Sequence, residues 1–334
     1  MSHPTSAAGA VSDEVRPIRQ AITIRRLLLI ALVALLLVAP LLVYPLFMMK
    51  FLCFALFAAA FNLLLGYTGL LSFGHAAFFG GAAYFTAHAM KEWGLTPELG
   101  LLVGVIGAAA LGLLFGLLAI RRQGIYFAMI TLALSQMFYF FCIQAPFTHG
   151  EDGIQSVPRG NVFGLISLSD TMTMYYFVLA VFLIGMAVIW RFVHSPFGMV
   201  LKSIRENEQR AVSLGLSVAR YKLGAFVMSA ALAGLAGGLK ALVFQFATLT
   251  DVTWQMSGEV ILMNLLGGIG TILGPVAGAG LIVALGNGLA TSDFPVTIIT
   301  GVVFMACVLL FRRGILGQFY SSKLGRMLGF TPPG

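Results

Sequence analysis

The chain has 334 residues, of which 59% are hydrophobic and only 10% charged, against about a quarter charged in an ordinary soluble domain. Its 20 basic and 12 acidic residues are too few to solvate a globule of this size. With a mean hydropathy of +0.97, a soluble enzyme, a nucleic-acid-binding domain and a disordered chain are excluded. The composition is that of a polytopic membrane protein.

An apolar run of about 20 residues spans the hydrocarbon core of a bilayer. In chain order the candidates are Leu27–Met49, Phe51–Thr68, Leu70–Met90, Glu98–Ile120, Ile125–Gln144, Met174–Val193, Leu223–Phe246, Glu259–Leu273, Pro275–Ala290 and Pro295–Phe311. The eighth and ninth are short enough to be broken or re-entrant helices, which a membrane tolerates where protein buries the exposed backbone. The expected fold is an all-α transmembrane bundle of about ten spans. Residues 1–26 precede it, 27–311 form it, 194–222 make its longest polar loop and 312–334 follow it.

Charge sets the orientation. With a cytoplasmic amino terminus, sixteen of the 20 basic residues fall inside, including Arg121 and Arg122, six between Arg191 and Lys222, and Arg312 and Arg313. Lys50, Lys91 and Arg159 fall outside, together with Glu92, Glu151, Asp152, Asp170, Asp251 and Asp293, while Lys240 is expected within a span, snorkelling outward. This is the positive-inside pattern, so both termini are expected in the cytoplasm and the +8 net charge orients the chain rather than binding nucleic acid. The first run is too long for a signal peptide and is expected to stay as an anchor. Cys53, Cys142 and Cys307, odd in number and in apolar stretches, are expected as buried small hydrophobes.

Catalytic and metal motifs are missing. No Gly precedes a Lys, so there is no phosphate loop, and His-Glu-x-x-His, Cys-x-x-Cys and Gly-x-Ser-x-Gly are all absent. Without paired mid-membrane carboxylates to hold a coupling ion, uphill transport would draw energy from another chain. The rival classes are an ion-coupled carrier and a membrane enzyme of unfamiliar chemistry.

The polar stretch from His194 to Lys222 is where another chain can push. Pro196 and Gly198 are expected to break the preceding helix, and Ser203-x-x-Glu206 has capping-box spacing for a new one. Glu206 and Arg210 are spaced i,i+4, Ile204, Ala211 and Leu214 form an apolar edge, and Gly215 can stop the helix. The segment suits either a docking helix or a basic loop resting on anionic lipid.

The run Arg205-Glu206-Asn207-Glu208-Gln209-Arg210-Ala211-x-x-x-Gly215, followed by Tyr221-Lys222-Leu223-x-Ala225-Phe226, resembles the cytoplasmic loop of branched-chain amino-acid ABC importer permeases. That loop carries a Glu-Ala-Ala-x-x-x-Gly pattern; here Gln209 and Arg210 stand where Glu and the first Ala would be, so both Glu206 and Glu208 are candidates for docking. Asn62 to Gly69, Leu71 to Gly80, Gly124 to Ala133 and Thr148-x-Gly150-x-Asp152-Gly153 are similar to the same family, over about residues 50 to 290. The likeness is closer to the subunit with the Arg-Glu-Asn-Glu loop than to its sister. It implies a permease without its own ATPase and without a cofactor, in a bacterial plasma membrane. Implied partners are a homologous second permease, two cytoplasmic ATP-binding subunits that hydrolyse ATP, and an extracytoplasmic substrate-binding protein. Urea and short-chain amide importers share the architecture, so leucine, isoleucine or valine is the first but not the only cargo. Coupling would fall to Ser203, Glu206, Glu208, Arg210, Ala211 and Gly215.

Polar groups inside the spans are Asn62, Ser72, His75, Gln136, Glu259 and Asn264; each either bonds a neighbouring helix or lines the route. Gly100/Gly104, Gly112/Gly116, Gly234/Gly238 and Gly270/Gly274/Gly278 have the spacing of close helix contacts. Asn62-Leu-Leu and Asn264-Leu-Leu each precede a Gly-x-x-Gly, which hints at an internal repeat. Glu151 and Asp152 mark the tip of the outer loop, an exposed turn that by the resemblance would meet the binding protein.

Overall fold

The computed structural model describes residues 31–162, 164, 166–289, 301, 302, 305 and 314. Segment 1–26 lies outside the described residues, as do the expected tenth span and the tail apart from those last four positions. The chain runs through α1 (Ala31–Leu42), α2 (Pro45–Thr68), α3 (His75–Lys91), α4 (Pro97–Ala119) and α5 (Ile125–Gln144). After a loop with a two-stranded hairpin, Asn161–Val162 against Ile166–Ser167, come α6 (Thr171–Val193), α7 (Pro196–Glu206), α8 (Glu208–Ser213), α9 (Val218–Phe244), α10 (Trp254–Gly267) and α11 (Gly274–Leu289). Five of these, α2, α4, α5, α6 and α9, are long and apolar enough to cross a membrane. The protein is a helical multi-pass membrane bundle.

Helix boundaries correct two expectations. The turn between the first two helices falls at Tyr44, not Lys50, because Pro45 opens α2 in the position a proline prefers; Lys50 then sits half-buried within the helix. The third expected span becomes helical only at His75, since Gly69 ends α2 in the left-handed conformation (φ 73°) and the chain stays irregular to Gly74. The same arrangement recurs at α10, which ends at Gly268 (φ 112°) before a second irregular stretch and α11. The short eighth and ninth segments are thus helices of 14 and 16 residues, and the Asn62 and Asn264 units share one order of helix, break and helix.

At the centre lie α2 and α9, each with 78% of its most apolar window buried, against 33% for α4 and α5. Helix α9 packs on α2, α3 and α4, while α10 and α11 pair with each other and lie along α2. The outward faces of α4 and α5 carry Leu102, Ile106, Leu117, Met129, Met137 and Phe140, as a lipid-facing surface requires. The glycine pairs make the close contacts: Gly104 meets α3 at Thr86 and Ala82, and Gly112 meets Ala230 of α9. Gly237 of α9 is tighter than either, since a Cβ there would run into the carbonyl of Phe79.

Overpacking such a contact costs about 1–3 kcal/mol. Gly237→Ala should therefore lower the thermal unfolding midpoint of the detergent-solubilised protein, whereas Gly258→Ala, with open space around it, should leave it unchanged. At the start of α6, Asp170 accepts the Thr173 N–H at 3.0 Å and its hydroxyl at 3.1 Å, and these bonds hold its carboxyl below the usual range. The cap is complete above the ordinary carboxylate pKa and lost as pH falls through the lowered value. Protection of the first-turn amides of α6, measured against their intrinsic exchange rates, should fall below about pH 4, and should be low at every pH in Asp170→Ala.

Candidate functional site

At one end of the bundle the chain between α6 and α9 folds into the short helices α7 and α8. Ser195 caps α7 by accepting the Gly198 N–H at 3.3 Å, and Pro196 takes the first helical position. The preceding helix does stop just before Pro196, at Val193, and the new helix begins at Pro196 rather than at the expected Ser203. Asn207, extended at φ −155° and ψ 99°, ends α7 and caps α8 by accepting the Arg210 N–H at 3.0 Å.

The single helix expected from Ser203 to Gly215 is therefore two. Ser203 caps nothing; it lies inside α7 with its hydroxyl donating to the Met199 carbonyl at 3.2 Å. Glu206 and Arg210, both exposed, lie on different helices, so their i,i+4 relation is lost. Ile204 and Ala211 are buried with Val218, which turns the expected apolar edge inward and leaves only Leu214 exposed. Gly215, at φ 80°, follows α8 as its stop.

Three contacts tie this face to the bundle. The Arg205 guanidinium donates through Nη1 to the Gly66 carbonyl in the last turn of α2, where the helix dipole favours a cation. The same nitrogen borders Gly270, whose Cβ, were there one, would lie 3.3 Å away. Glu208 accepts from Lys222 of α9 at 2.7 Å and from Gln123, in the turn between α4 and α5, at 2.7 Å. Lys222 is only 4% exposed.

Arg205 thus touches both helix breaks, and the breaks explain most of the polar residues expected along a route. Asn62 donates to the Thr271 carbonyl at 2.7 Å and accepts the Gly270 N–H at 3.0 Å, binding the second break to α2. Asn264 reciprocates, donating to the Ala58 carbonyl on α2 at 3.1 Å. Ser72 accepts the Gly74 N–H at 3.1 Å, Thr131 accepts the Phe73 N–H at 3.1 Å, and Ser257 accepts the Ala76 N–H at 2.9 Å while donating to the Phe73 carbonyl at 2.8 Å.

His75 is fully buried among the rings of Phe61, Phe78 and Phe226. Its Nε2 meets Ser229 Oγ at 2.8 Å, and Ser229 spends its one proton on the Ala60 carbonyl at 2.6 Å. The ring must therefore donate through Nε2–H. The structure thus uses these groups to join helices. Gln136 is half-buried on α5 and Glu259 exposed on α10, the two whose side chains remain turned outward.

Glu151 and Asp152 stand exposed in a single 3₁₀ turn at the opposite end. Lys240 corrects another expectation. It does not snorkel but lies 7% exposed against Asp251, because a cation enclosed by the bundle needs a countercharge where it has no route to water. Sequence reasoning passed over Arg205, Gln123, Thr131, Ser257 and Thr271 as site residues. The Ser195-Pro196 and Asn207 caps carried a readable signal; the long-range hydroxyl contacts carried none.

Residues 44–312 match the family model described as branched-chain amino acid transport system / permease component. The chain is 29% identical over 245 residues to the "High-affinity branched-chain amino acid transport system permease protein LivM" of Escherichia coli (strain K12), covering 66% of this chain and 58% of that protein. It thus spans less than two thirds of the length of that relative. It is 27% identical over 176 residues to the "Probable branched-chain amino acid transport permease protein LivH" of Methanocaldococcus jannaschii, covering 50% and 54%. Similarity extends to the "Ribose import permease protein RbsC" of Bacillus subtilis (strain 168), 28% identical over 170 residues and covering 48% and 50%. No solved structure gives a significant match.

Glu208→Gln should strand the buried Lys222 ammonium and destabilise the protein by about 1–3 kcal/mol, while Lys222→Met leaves Glu208 its Gln123 partner and should cost less. A double variant should recover part of the loss. Thermal unfolding of the purified set checks the order.

Proposed function

The chain belongs to the branched-chain amino acid transport system permease family, and from that premise we propose that it is the membrane subunit of an ATP-driven importer carrying leucine, isoleucine or valine into a bacterial cytoplasm. The carrying observation is the double attachment of α7 and α8: Arg205 to the last turn of α2, beside Gly270, and Glu208 to α9 and the α4–α5 turn. A face built this way passes a push on two short helices directly into four spans.

In this reading the end bearing Arg121, Arg122 and α7 is cytoplasmic, by the positive-inside distribution, and ten crossings return both termini to that side. Two ATP-binding subunits grip α7 and α8 through the exposed Glu206 and Arg210, a homologous permease completes the passage, and an extracytoplasmic binding protein selects the solute. Closure of the ATPases drives α7 against the end of α2 and the Gly270 break. Beyond Gly69 and Gly268 the irregular backbone lets α2 and α10 tilt without breaking helical hydrogen bonds. Gln136 and Glu259 remain candidates to meet the solute.

The cargo rests on the names of the relatives, one of which is a ribose importer. Uptake by proteoliposomes holding this chain with its second permease, ATPases and binding protein should be ATP-dependent and saturable for leucine, with ribose and urea failing to compete. Uptake driven by an ion gradient without the ATPases would overturn the proposal. Gly215→Pro and Glu208→Arg should each abolish both leucine uptake and co-purification of the ATPases while membrane insertion survives.

A further inference from the structure

At the end opposite α7, the link between α9 and α10 (residues 245–253) folds back into the bundle as a strap. Its first part pairs with the outer loop: the Ala247 N–H donates to the Ile154 carbonyl at 2.9 Å, the Ile154 N–H returns the bond at 3.0 Å, and the Val157 N–H donates to the Gln245 carbonyl at 2.9 Å. Its second part, the turn Leu249–Asp251, drops against α3 and α5. Gly80 of α3 makes the room, since a Cβ there would lie 2.7 Å from the Asp251 backbone.

Inside, Asp251 meets Lys240 of α9 at 2.5 Å, their side chains only 3% and 9% exposed. The ring of Phe246, itself on the strap, covers the ammonium at 4.7 Å, and the Thr248 hydroxyl leans on the same carboxylate at 3.4 Å. Tyr84 of α3 lies within electrostatic range of Asp251, with its buried hydroxyl unpartnered.

Backbone strain gathers at the same place. Among the described residues the non-glycines with left-handed φ are His149, Ser156 and Gln245, at 59°, 58° and 61°. All three belong to the strap or the loop bound to it, and each such residue costs on the order of 1–2 kcal/mol. Gln245 sits where α9 gives way to the strap.

A buried ion pair is a poor way to stabilise a bundle, because apolar residues of equal volume do as well or better. It is a good way to make a contact all-or-none. Drawing the charges slightly apart inside the protein loses their attraction while water is still excluded, so the favourable states are fully closed or fully hydrated.

We propose that residues 245–253 are the outward gate of this permease, with Lys240–Asp251 as the latch and Gln245 as the hinge. This rests on the transport reading and orientation given above. Glu151 and Asp152 stand immediately before Gly153 and Ile154, so a soluble protein seated on that turn acts on the strap through the Ile154–Ala247 bridge.

Ala247 is fully buried and reports the gate. In a chain with Cys53, Cys142 and Cys307 replaced by Ala, and within the full complex in liposomes, Ala247→Cys should react with a membrane-impermeant maleimide at least tenfold faster in the vanadate-trapped state than without nucleotide. Equal rates in the two states would overturn the gate. Adding Asp251→Ala alone, which leaves the buried Lys240 ammonium without its countercharge, should raise the nucleotide-free rate toward the trapped one; a rate unchanged by it would dismiss the pair as a latch. Ile154→Cys with Ala247→Cys, once oxidised, should cut leucine uptake at least tenfold, with reductant restoring it; full uptake through a complete disulfide would also overturn the gate. If the reduced chain takes up no leucine, the cargo reading fails, and the labelling contrast still decides the gate.

Discussion

A helix that stops inside a membrane leaves carbonyls and amides that lipid cannot satisfy, and the architecture of this protein turns on how that demand is met twice. Gly69–Gly74 and Gly268–Leu273 are irregular stretches enclosed by the bundle, and side chains from other helices complete their hydrogen bonding. Thr131 of α5 and Ser257 of α10 serve the first; Asn62 of α2 serves the second. Each break therefore holds together the helices that enclose it, and neither can move without moving them. Arg205 of α7 lies beside Gly69 and Gly270, so the irregular backbone sits directly beneath the face where the proposed force would be applied.

Helix α9 connects that face to the other end. Lys222 in its first turn pairs with Glu208, and Lys240 near its last turn pairs with Asp251. Eighteen residues separate the two lysines, about 27 Å of helix, close to the thickness of the hydrocarbon core. Between them α9 is bound on its flanks by α2, α3 and α4 through glycines that admit little lateral play. In the proposed cycle a shift begun at Glu208 would travel along this one helix to the Asp251 strap, since a buried cation ties α9 near each of its ends.

The residues themselves show where sequence reasoning reached and where it stopped. The apolar runs, the basic loops and the Arg-Glu-Asn-Glu segment were legible because hydrophobic length, charge sidedness and local motifs are written in neighbouring positions. Boundaries went astray where two local signals competed. Lys50 reads as a turn that Pro45 in fact makes, and the helix start expected at Ser203 falls at Pro196 because Ser195 stands ready to cap it. Lys240 was misplaced because its partner lies eleven residues on, in a loop that reads as solvent-exposed. Asn62 and Asn264 were noticed as a repeated pair, but their mutual clamp spans more than two hundred residues and leaves no trace in spacing.

The sequence by itself determined a helical chain of membrane-crossing length and the family to which it belongs, since each follows from composition or from residues a few positions apart. Only the tertiary structure decided which polar groups are consumed in holding helices together, that Arg205 bonds the end of α2 beside Gly270, and that Lys240 pairs with Asp251 at the far end. Those outcomes depend on which backbone groups are left without water once the helices are assembled, and that is a property of the packed bundle rather than of any stretch of chain.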